Sequence, residues 1–306
     1  MDFLSSALLC CALTLPQQRD TLKPSPQNPS PMVEQTREHG RVPQQDYAGV
    51  SYDLSGPLAR PANVFIPQQF IQSHQFDLLI HFHGASFVVH HVATTSKQPL
   101  IAVTVNLGSG SSVYGAPFAD STAFSAFLDS IAVSVQNHLN HPPRFGRIIL
   151  SGFSAGYGAV RKILSTFDNY RRADAVLLLD GIHASYIPEG RVLAEGGKVD
   201  STGLLAFLRY ADDASRPASR KKFMITHSEI FPGTFVSTTE ACNYLLNALG
   251  IKQQATLQWG PLGMQQLSIA RRNGFTVLGF AGNTAPDHID HFHALSYFLG
   301  KLLDSN

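Results

Sequence analysis

Short apolar runs separated by longer amphipathic stretches make up most of this chain. Two such runs, Leu100 to Val105 and Val176 to Leu179, are apolar at nearly every position. Runs of this kind indicate strands that are buried on both faces of a sheet. The same criteria predict strands over 49–54, 62–67, 76–84, 99–108, 148–150, 173–181, 221–229 and 275–281.

Helical periodicity fills the intervals between these strands. The clearest case is 121–139, where Phe124, Phe127, Ile131 and Val135 recur at helical spacing. The predicted helices are 121–139, 159–166, 203–211, 238–249 and 290–302; segments 85–98, 109–119 and 183–200 are predicted to be irregular. Strands that alternate with helices predict an α/β fold whose mainly parallel sheet is covered on both faces. Ligands of such sheets bind beyond the carboxyl ends of the strands.

The N-terminal region has a different composition. Residues 3–15 are as apolar as the central part of a signal peptide, although Met1 and Asp2 supply no positive charge. Residues 16–46 are rich in Pro and Gln, which predicts a disordered linker. We therefore expect a signal peptide at 1–15, an exported protein, and one catalytic domain at 47–306.

The overall composition is that of an ordinary globular protein. The 306 residues are 44% hydrophobic and 15% charged, with a net charge of +1. This near-zero charge gives no support to nucleic-acid binding, which would need a basic face. After the N-terminus, no apolar run is long enough to predict a membrane-spanning helix.

One segment carries a recognisable chemical motif. The apolar run 148–150 leads into Gly152-Phe153-Ser154-Ala155-Gly156, and a helix-compatible stretch follows. Strand, Gly-x-Ser-x-Gly and helix are the parts of a nucleophile elbow. The two glycines relieve crowding where the chain bends sharply around the serine. A turn between a strand and a helix could have the same composition without any chemistry.

With this motif, the chain resembles the α/β-hydrolase family of serine esterases and lipases over about 50–303. The resemblance implies a mostly parallel central sheet with helices on both faces, and Ser154 as nucleophile. It also implies that an acid and then a histidine follow the serine along the chain. No cofactor or metal is implied.

The histidine is expected after the last strand, where the chain offers three. His288 is predicted to lie in the loop before the final helix, whereas His291 and His293 would lie on that helix. A serine hydroxyl needs a base within hydrogen-bond reach. We favour His288 as that base, with His291 as the alternative. Asp287 or Asp290 could instead only cap the helix.

Two carboxylates compete for the role of the acid. Asp180 ends the strand after the elbow, where some lipases of the family carry their acid, and Glu229 follows the next strand, which is the commoner position. We favour Asp180, because an aspartate at the end of so apolar a strand needs polar partners. As turn or loop residues, both could also be purely structural.

A tetrahedral intermediate needs donors for its oxyanion. The backbone of Ala155 is one expected donor, and the loop containing Gly84, Ala85 and Ser86 resembles the oxyanion element of the family. Tyr114, Phe153, Tyr157 and Phe231 are candidates for an apolar acyl site.

The preferred hypothesis is therefore a serine hydrolase that cleaves a small ester through an acyl-enzyme. One alternative is a metal-dependent hydrolase that uses His81, His83, Asp180 and the cluster 287–293. Against it, His81 and His83 fit a packed, hydrogen-bonded pair better than a metal pair. The other alternative is a non-catalytic binding protein that has kept the fold.

Overall fold

A computed structural model of the chain describes residues 40–304. The strands are β1 (Gly49–Leu54), β2 (Ala62–Pro67), β3 (Gln75–Phe82), β4 (Leu100–Val105), β5 (Arg144–Phe153), β6 (Ala175–Leu179), β7 (Tyr186–Ile187), β8 (Lys198–Val199), β9 (Lys222–His227), β10 (Gln254–Trp259), β11 (Gln265–Arg272) and β12 (Phe275–Phe280). The α-helices are α1 (Ser86–Thr95), α2 (Ser111–Gly115), α3 (Ala123–Leu139), α4 (Tyr157–Leu164), α5 (Phe167–Arg172), α6 (Leu205–Ala214), α7 (Thr238–Ala248), α8 (Ala285–His293) and α9 (Leu295–Asp304). No helix among these residues is long and apolar enough to cross a membrane.

The main sheet has the strand order β1-β2-β4-β3-β5-β6-β9-β12-β11-β10. The six strands from β4 to β12 in this order are mutually parallel, and the strands at both edges are antiparallel. The carboxyl ends of the parallel strands therefore meet along one rim. Order and direction together confirm the predicted mainly parallel sheet.

Helices bury both faces of this sheet, as predicted. On one face, α3, α4, α6 and α7 contribute to a large apolar cluster with side chains such as Phe127 and Phe207. On the other face, α1 and α9 form a smaller cluster with side chains such as Val92 and Phe298. Because alternate side chains of the central strands enter opposite clusters, these strands are buried throughout.

The prediction of an irregular segment over 85–98 is wrong, because this segment contains helix α1. Three valines among the ten residues of the helix, at positions 88, 89 and 92, lower its intrinsic helix propensity. Burial overrides this preference, because Val88, Val89, Val92 and Ala93 repeat at helical spacing and pack against the sheet.

Strands β10 and β11 were not predicted. Strand β10 is mostly exposed, and two of its apolar side chains, Leu257 and Trp259, are 74% and 72% exposed. A strand at an open edge with so little burial lacks the alternation that reveals half-buried strands. It is held by antiparallel pairing with β11 instead.

The single final helix predicted over 290–302 is also wrong, because two helices meet at Ala294. The first begins at Ala285 and therefore includes His288. Its start is fixed by a capping box, in which the Thr284 side chain accepts from the Asp287 N–H while the Asp287 carboxylate accepts from the Thr284 N–H. Pro286 in the first turn suits this start.

The chain contacts the domain earlier than the predicted boundary at residue 47. Arg41 Nε donates to Asp290 Oδ1 over 2.6 Å, and Arg41 Nη2 donates to the carbonyl of Pro286. Val42 packs against the smaller apolar cluster. Residues 41 and 42 therefore pack on the domain, and the part of the predicted linker before residue 40, like the predicted signal peptide, lies outside the described residues.

Candidate active site

Ser154 occupies a strained turn between β5 and α4. Its φ of 47° lies in the left-handed region, which non-glycine residues rarely adopt. A Cβ at Gly152 would lie 2.9 Å from the carbonyl carbon of Gly156, and one at Gly156 would overlap with the Phe82 carbonyl. The two glycines therefore permit the close approach that this turn requires. The geometry is that of the nucleophile elbow expected from the sequence.

Asp180 follows β6 and lies beside this turn. A Cβ on its neighbour Gly181 would overlap with the backbone of Ser154, so the two strand ends are in direct contact. Asp180 is 3% exposed and has φ of 42°. With His83 at 71°, three residues after neighbouring strands adopt left-handed conformations, a clustering of strain typical of functional sites.

Three hydrogen bonds fix the Asp180 carboxylate. Ser228 donates its N–H to Oδ1 over 2.9 Å and its hydroxyl to Oδ2 over 2.6 Å. The third bond joins Oδ2 to His288 Nδ1 over 2.7 Å. The Asp180 carboxylate can accept all three hydrogen bonds when it is ionised, because an ionised carboxylate has no proton to donate.

The protonation of Asp180 follows from these surroundings. Burial alone would raise the pKa of this carboxyl, but the imidazoles of His291 and His288 and the Ser228 hydroxyl outweigh it. They hold the pKa of Asp180 well below its usual range. An ionised carboxylate cannot donate, so the shared proton lies on Nδ1 of His288. In the neutral imidazole, Nε2 then carries the lone pair that a general base needs.

The His288 imidazole sits in the first turns of α8, and its side chain is 24% exposed. Its ring centroid is 4.5 Å from that of Phe153, the residue before Ser154. Among residues 40–304, no hydrogen bond joins the Ser154 hydroxyl to this ring. Catalytic hydrogen bonds are often long before substrate binds. The structure thus brings Ser154, Asp180 and His288 to one rim.

Glu229 does not join this group. Its backbone N–H donates to the Gly282 carbonyl, and its Oε2 accepts from the Gly282 N–H over 3.3 Å. The side chain is exposed, so it interacts with the loop after β12. Of the two predicted acids, the one that contacts an imidazole is Asp180.

The other histidines of the two predicted clusters are mostly buried. His291 is fully buried and contacts the Thr226 hydroxyl through Nδ1 over 2.7 Å. His81 is also fully buried, between the Ser151 hydroxyl and the His83 carbonyl. Burial lowers the pKa of His291 to about 4 and that of His81 to about 3, so both rings are neutral at pH 7. His293 is partly buried at the end of α8.

These two buried rings predict that stability falls as the pH drops below 6.5. An unfolded histidine binds a proton near pH 6.5, whereas His81 and His291 in the folded protein do so only near pH 3 to 4. Between these values the unfolded state binds more protons, so acidification favours unfolding by about 1.4 kcal/mol per pH unit for each ring. Denaturant titrations from pH 7 to 4.5 measure this slope.

The variant His81→Gln isolates one contribution to the slope. Glutamine can still donate to the His83 carbonyl and accept from Ser151, but it does not titrate. The dependence of unfolding free energy on pH should therefore be shallower by about one proton. An unchanged slope in this variant would contradict the assignment of a buried neutral ring at position 81.

The predicted oxyanion donors differ in availability. Ala155 follows the nucleophile within the short helical turn 154–156 and lines the cleft around Ser154. The Gly84 N–H instead donates to Asn106 Oδ1 over 2.9 Å, so it is not free to bind an oxyanion in this conformation. Gly84 is needed for space, because a side chain there would overlap with the Phe292 ring. Ala85, which precedes α1, makes no such contact with Asn106.

A cleft of about 600 Å³ opens around Ser154. Its lining includes Ala155, Tyr157, His183 and Phe235. Of the four predicted acyl-site residues only Tyr157 lines it. Tyr114 is buried, and its hydroxyl forms a hydrogen bond with His83 Nδ1 over 2.8 Å. Phe153 packs against His288, and Phe231 lies on the surface.

Two residues near the site were not recognised from the sequence. Ser228 holds both oxygens of Asp180, and His183 lines the cleft while its Nδ1–H donates to the Val236 carbonyl. Burial lowers the pKa of His183, which keeps the ring neutral at pH 7. The only available signal was position, since Ser228 is the last residue but one of a predicted strand and His183 follows Asp180 closely.

Between residues 40 and 304, no three His, Cys, Asp or Glu side chains are grouped so that they could hold a metal ion. His81 illustrates why: both ring nitrogens are already engaged by Ser151 and His83. The described residues thus offer no ligand set for the metal-dependent alternative.

The sequence matches no protein-family model and no curated protein. A comparison with solved structures finds similarity over most of this chain, at low identity, to three hydrolases. Est1E from Butyrivibrio proteoclasticus has a TM-score of 0.43 and 10% identity, over 84% of this chain and 99% of that chain. An acetyl xylan esterase from Aspergillus awamori has a TM-score of 0.45 and 14% identity, over 82% of this chain and 100% of that chain. An S-formylglutathione hydrolase from Agrobacterium tumefaciens has a TM-score of 0.47 and 12% identity, over 86% of this chain and 97% of that chain.

The fold assignment depends on the topology of this chain itself. The sheet begins with an antiparallel strand, continues in the order 1-2-4-3-5-6 and carries a strained serine turn after its fifth strand. An acid and a histidine follow that serine along the chain and meet at the carboxyl ends of the strands. This chain has the α/β-hydrolase fold.

Proposed function

We propose that this protein is a serine hydrolase that cleaves a carboxylic ester through an acyl-enzyme intermediate. The observation that carries the proposal is the hydrogen bond from His288 Nδ1 to the ionised Asp180. It leaves Nε2 as a proton acceptor at the rim where the strained turn presents Ser154. Asp180 then orients the imidazole and stabilises the imidazolium that forms.

In the first half-reaction, Ser154 Oγ bonds to the ester carbonyl carbon while its proton passes to His288 Nε2. The carbonyl oxygen becomes an oxyanion, which the Ala155 N–H and an N–H of the loop at Ala85 stabilise. The bond between the carbonyl carbon and the alcohol oxygen then breaks. The leaving alcohol takes the proton from His288, and the acyl group stays on Ser154.

The second half-reaction repeats these steps with water. A water molecule gives one proton to His288 Nε2 as its oxygen bonds to the acyl carbon. When the bond to Ser154 breaks, Oγ recovers the proton and the carboxylic acid is released. No electron acceptor or metal enters this balance. The open cleft of about 600 Å³ suits a small or exposed ester.

A fluorophosphonate probe tests the proposal, because it phosphonylates only an activated serine. We expect one label per chain, located on Ser154 by peptide mass spectrometry. The matched variant Ser154→Ala should take up no label, whereas Ser151→Ala changes a buried serine of the preceding strand β5 and should not remove the Ser154 label. An unlabelled wild-type protein, or equal labelling of Ser154→Ala, would refute the proposed function.

A further inference from the structure

A second cleft adjoins the cleft around Ser154. The second cleft has a volume of about 560 Å³ and shares two lining residues with the first, Arg161 and Gly203. Its other lining residues come mainly from α4, α6 and the turn before α6. Because Arg161 lines the same cleft as Ser154, a substrate bound at Ser154 can contact it.

Cations dominate the lining of the two clefts. Arg161, Lys162 and Arg209 line them, against one acid, Asp200. The Asp200 carboxylate is already committed, because its Oδ1 accepts from the N–H and the hydroxyl of Thr202. Asp200 keeps its negative charge, but three positive charges against one in the lining of the adjoining clefts favour an anion.

Of these three cations, only Arg161 lines the same cleft as Ser154, so it can contact a substrate bound there. Its guanidinium lies 5.4 Å from the Tyr157 ring centroid, one helical turn earlier, and within contact distance of Gly203. Among residues 40–304 this guanidinium makes no hydrogen bond or ion pair. Its five donors are free, although the side chain is partly buried.

Arg209 is less available than Arg161. Its guanidinium lies 4.2 Å from the Tyr170 ring centroid and donates to the Leu164 carbonyl. Lys162 is exposed to solvent, where a charge pair contributes little. Arg161 lies one turn into α4, four residues after its start at Tyr157 and about 6 Å along the helix axis at a rise of about 1.5 Å per residue.

We infer that Arg161 makes this site selective for esters that carry an anionic group, a carboxylate or a phosphate, several bonds from the reacting carbonyl. The anion would accept a bidentate pair of hydrogen bonds from the guanidinium. This inference rests on the proposed function, since it names the substrate class of the same site. The charged group could lie on the acyl or on the alcohol side of the ester.

Two matched pairs of esters test both sides. For the acyl side, 4-nitrophenyl hemiadipate is compared with 4-nitrophenyl hexanoate. For the alcohol side, 4-acetoxybenzoate is compared with its neutral methyl ester. In at least one pair, kcat/KM of the wild-type protein should favour the anionic ester by roughly tenfold, mainly through KM.

The measured quantity is the ratio of kcat/KM within a pair, which a general loss of activity would not change. Arg161→Gln should bring this ratio close to one, and Arg161→Lys should keep part of the preference. Lys252→Gln removes one exposed charge that lines neither cleft and should leave the ratio unchanged. If Arg161→Gln does not fold, added salt should lower the wild-type ratio.

The inference is overturned if neither pair shows a preference for its anionic member, or if the preference survives Arg161→Gln. Hydrolysis of the neutral esters would then still support the proposed function. If all four esters stay intact and Ser154 takes up no fluorophosphonate, both proposals fail together.

Discussion

Replacing His288 with alanine is expected to lower kcat by a factor of about 10⁵ to 10⁶ and to change KM little. Without the imidazole, the Ser154 hydroxyl has no base to accept its proton, and the leaving alcohol has no acid to donate one. Binding and oxyanion stabilisation remain, so some activity above the uncatalysed rate should persist. Single-turnover measurements with a 4-nitrophenyl ester would measure this loss on the acylation step.

The matched control is His291→Gln. His291 is fully buried and contacts Thr226, so its loss should reduce stability more than kcat of the folded protein. Thermal unfolding of both variants separates the two effects. If His291→Gln removed turnover and His288→Ala did not, the base would be the alternative that the sequence left open.

Replacing Asp180 with asparagine is expected to lower kcat by about 10⁴. The carbonyl oxygen of the new side-chain amide would accept from the Ser228 N–H, and its NH₂ group would then face His288 as a donor. A donor at this position favours the tautomer of His288 with the proton on Nε2, which cannot accept from Ser154. The loss should appear in kcat, since no part of Asp180 lines the cleft.

Glu229→Gln is the matched control for the acid, since it makes the same change of carboxylate to amide at the other predicted position. Glu229 contacts Gly282 and not His288, so kcat should change by less than a factor of about 3 and stability by about 1 kcal/mol or less. A large loss in Glu229→Gln with an active Asp180→Asn would contradict the pairing of Asp180 with His288.

The sequence was most informative where burial and backbone geometry act together. Continuous apolar runs indicate buried parallel strands, and this predicted the rim at which the site lies. The glycines around Ser154 revealed the elbow because a sharp turn leaves no room for a Cβ. Asp180 could be favoured because a charge at the end of an apolar strand needs partners, and Ser228 and His288 contact it.

The errors came from features that depend on tertiary contacts. The valines of α1 favour a strand by local propensity, and only packing against the sheet makes the segment helical. Strand β10 has little burial to reveal it. The start of α8 did have a local signal, the capping box of Thr284 and Asp287, which puts His288 on the helix rather than in the preceding loop.

Arg161 and Ser228 could not be identified from the sequence, because their importance comes from which neighbours they have in space. Ser228 matters since β9 lies beside β6, which places its hydroxyl at Asp180. Arg161 matters since the second cleft opens on the same helix face. Neither residue type is unusual at its position along the chain.

The contact of Arg41 with α8 limits how far the N-terminus can be shortened. Arg41 links to Pro286 and to Asp290, which is 1% exposed, on either side of His288 along the chain. A shortened chain that retains residue 41 would keep both contacts. Removal of that arginine would take away two contacts of the helix that carries His288, so shortening the chain beyond residue 41 should lower the stability of that helix.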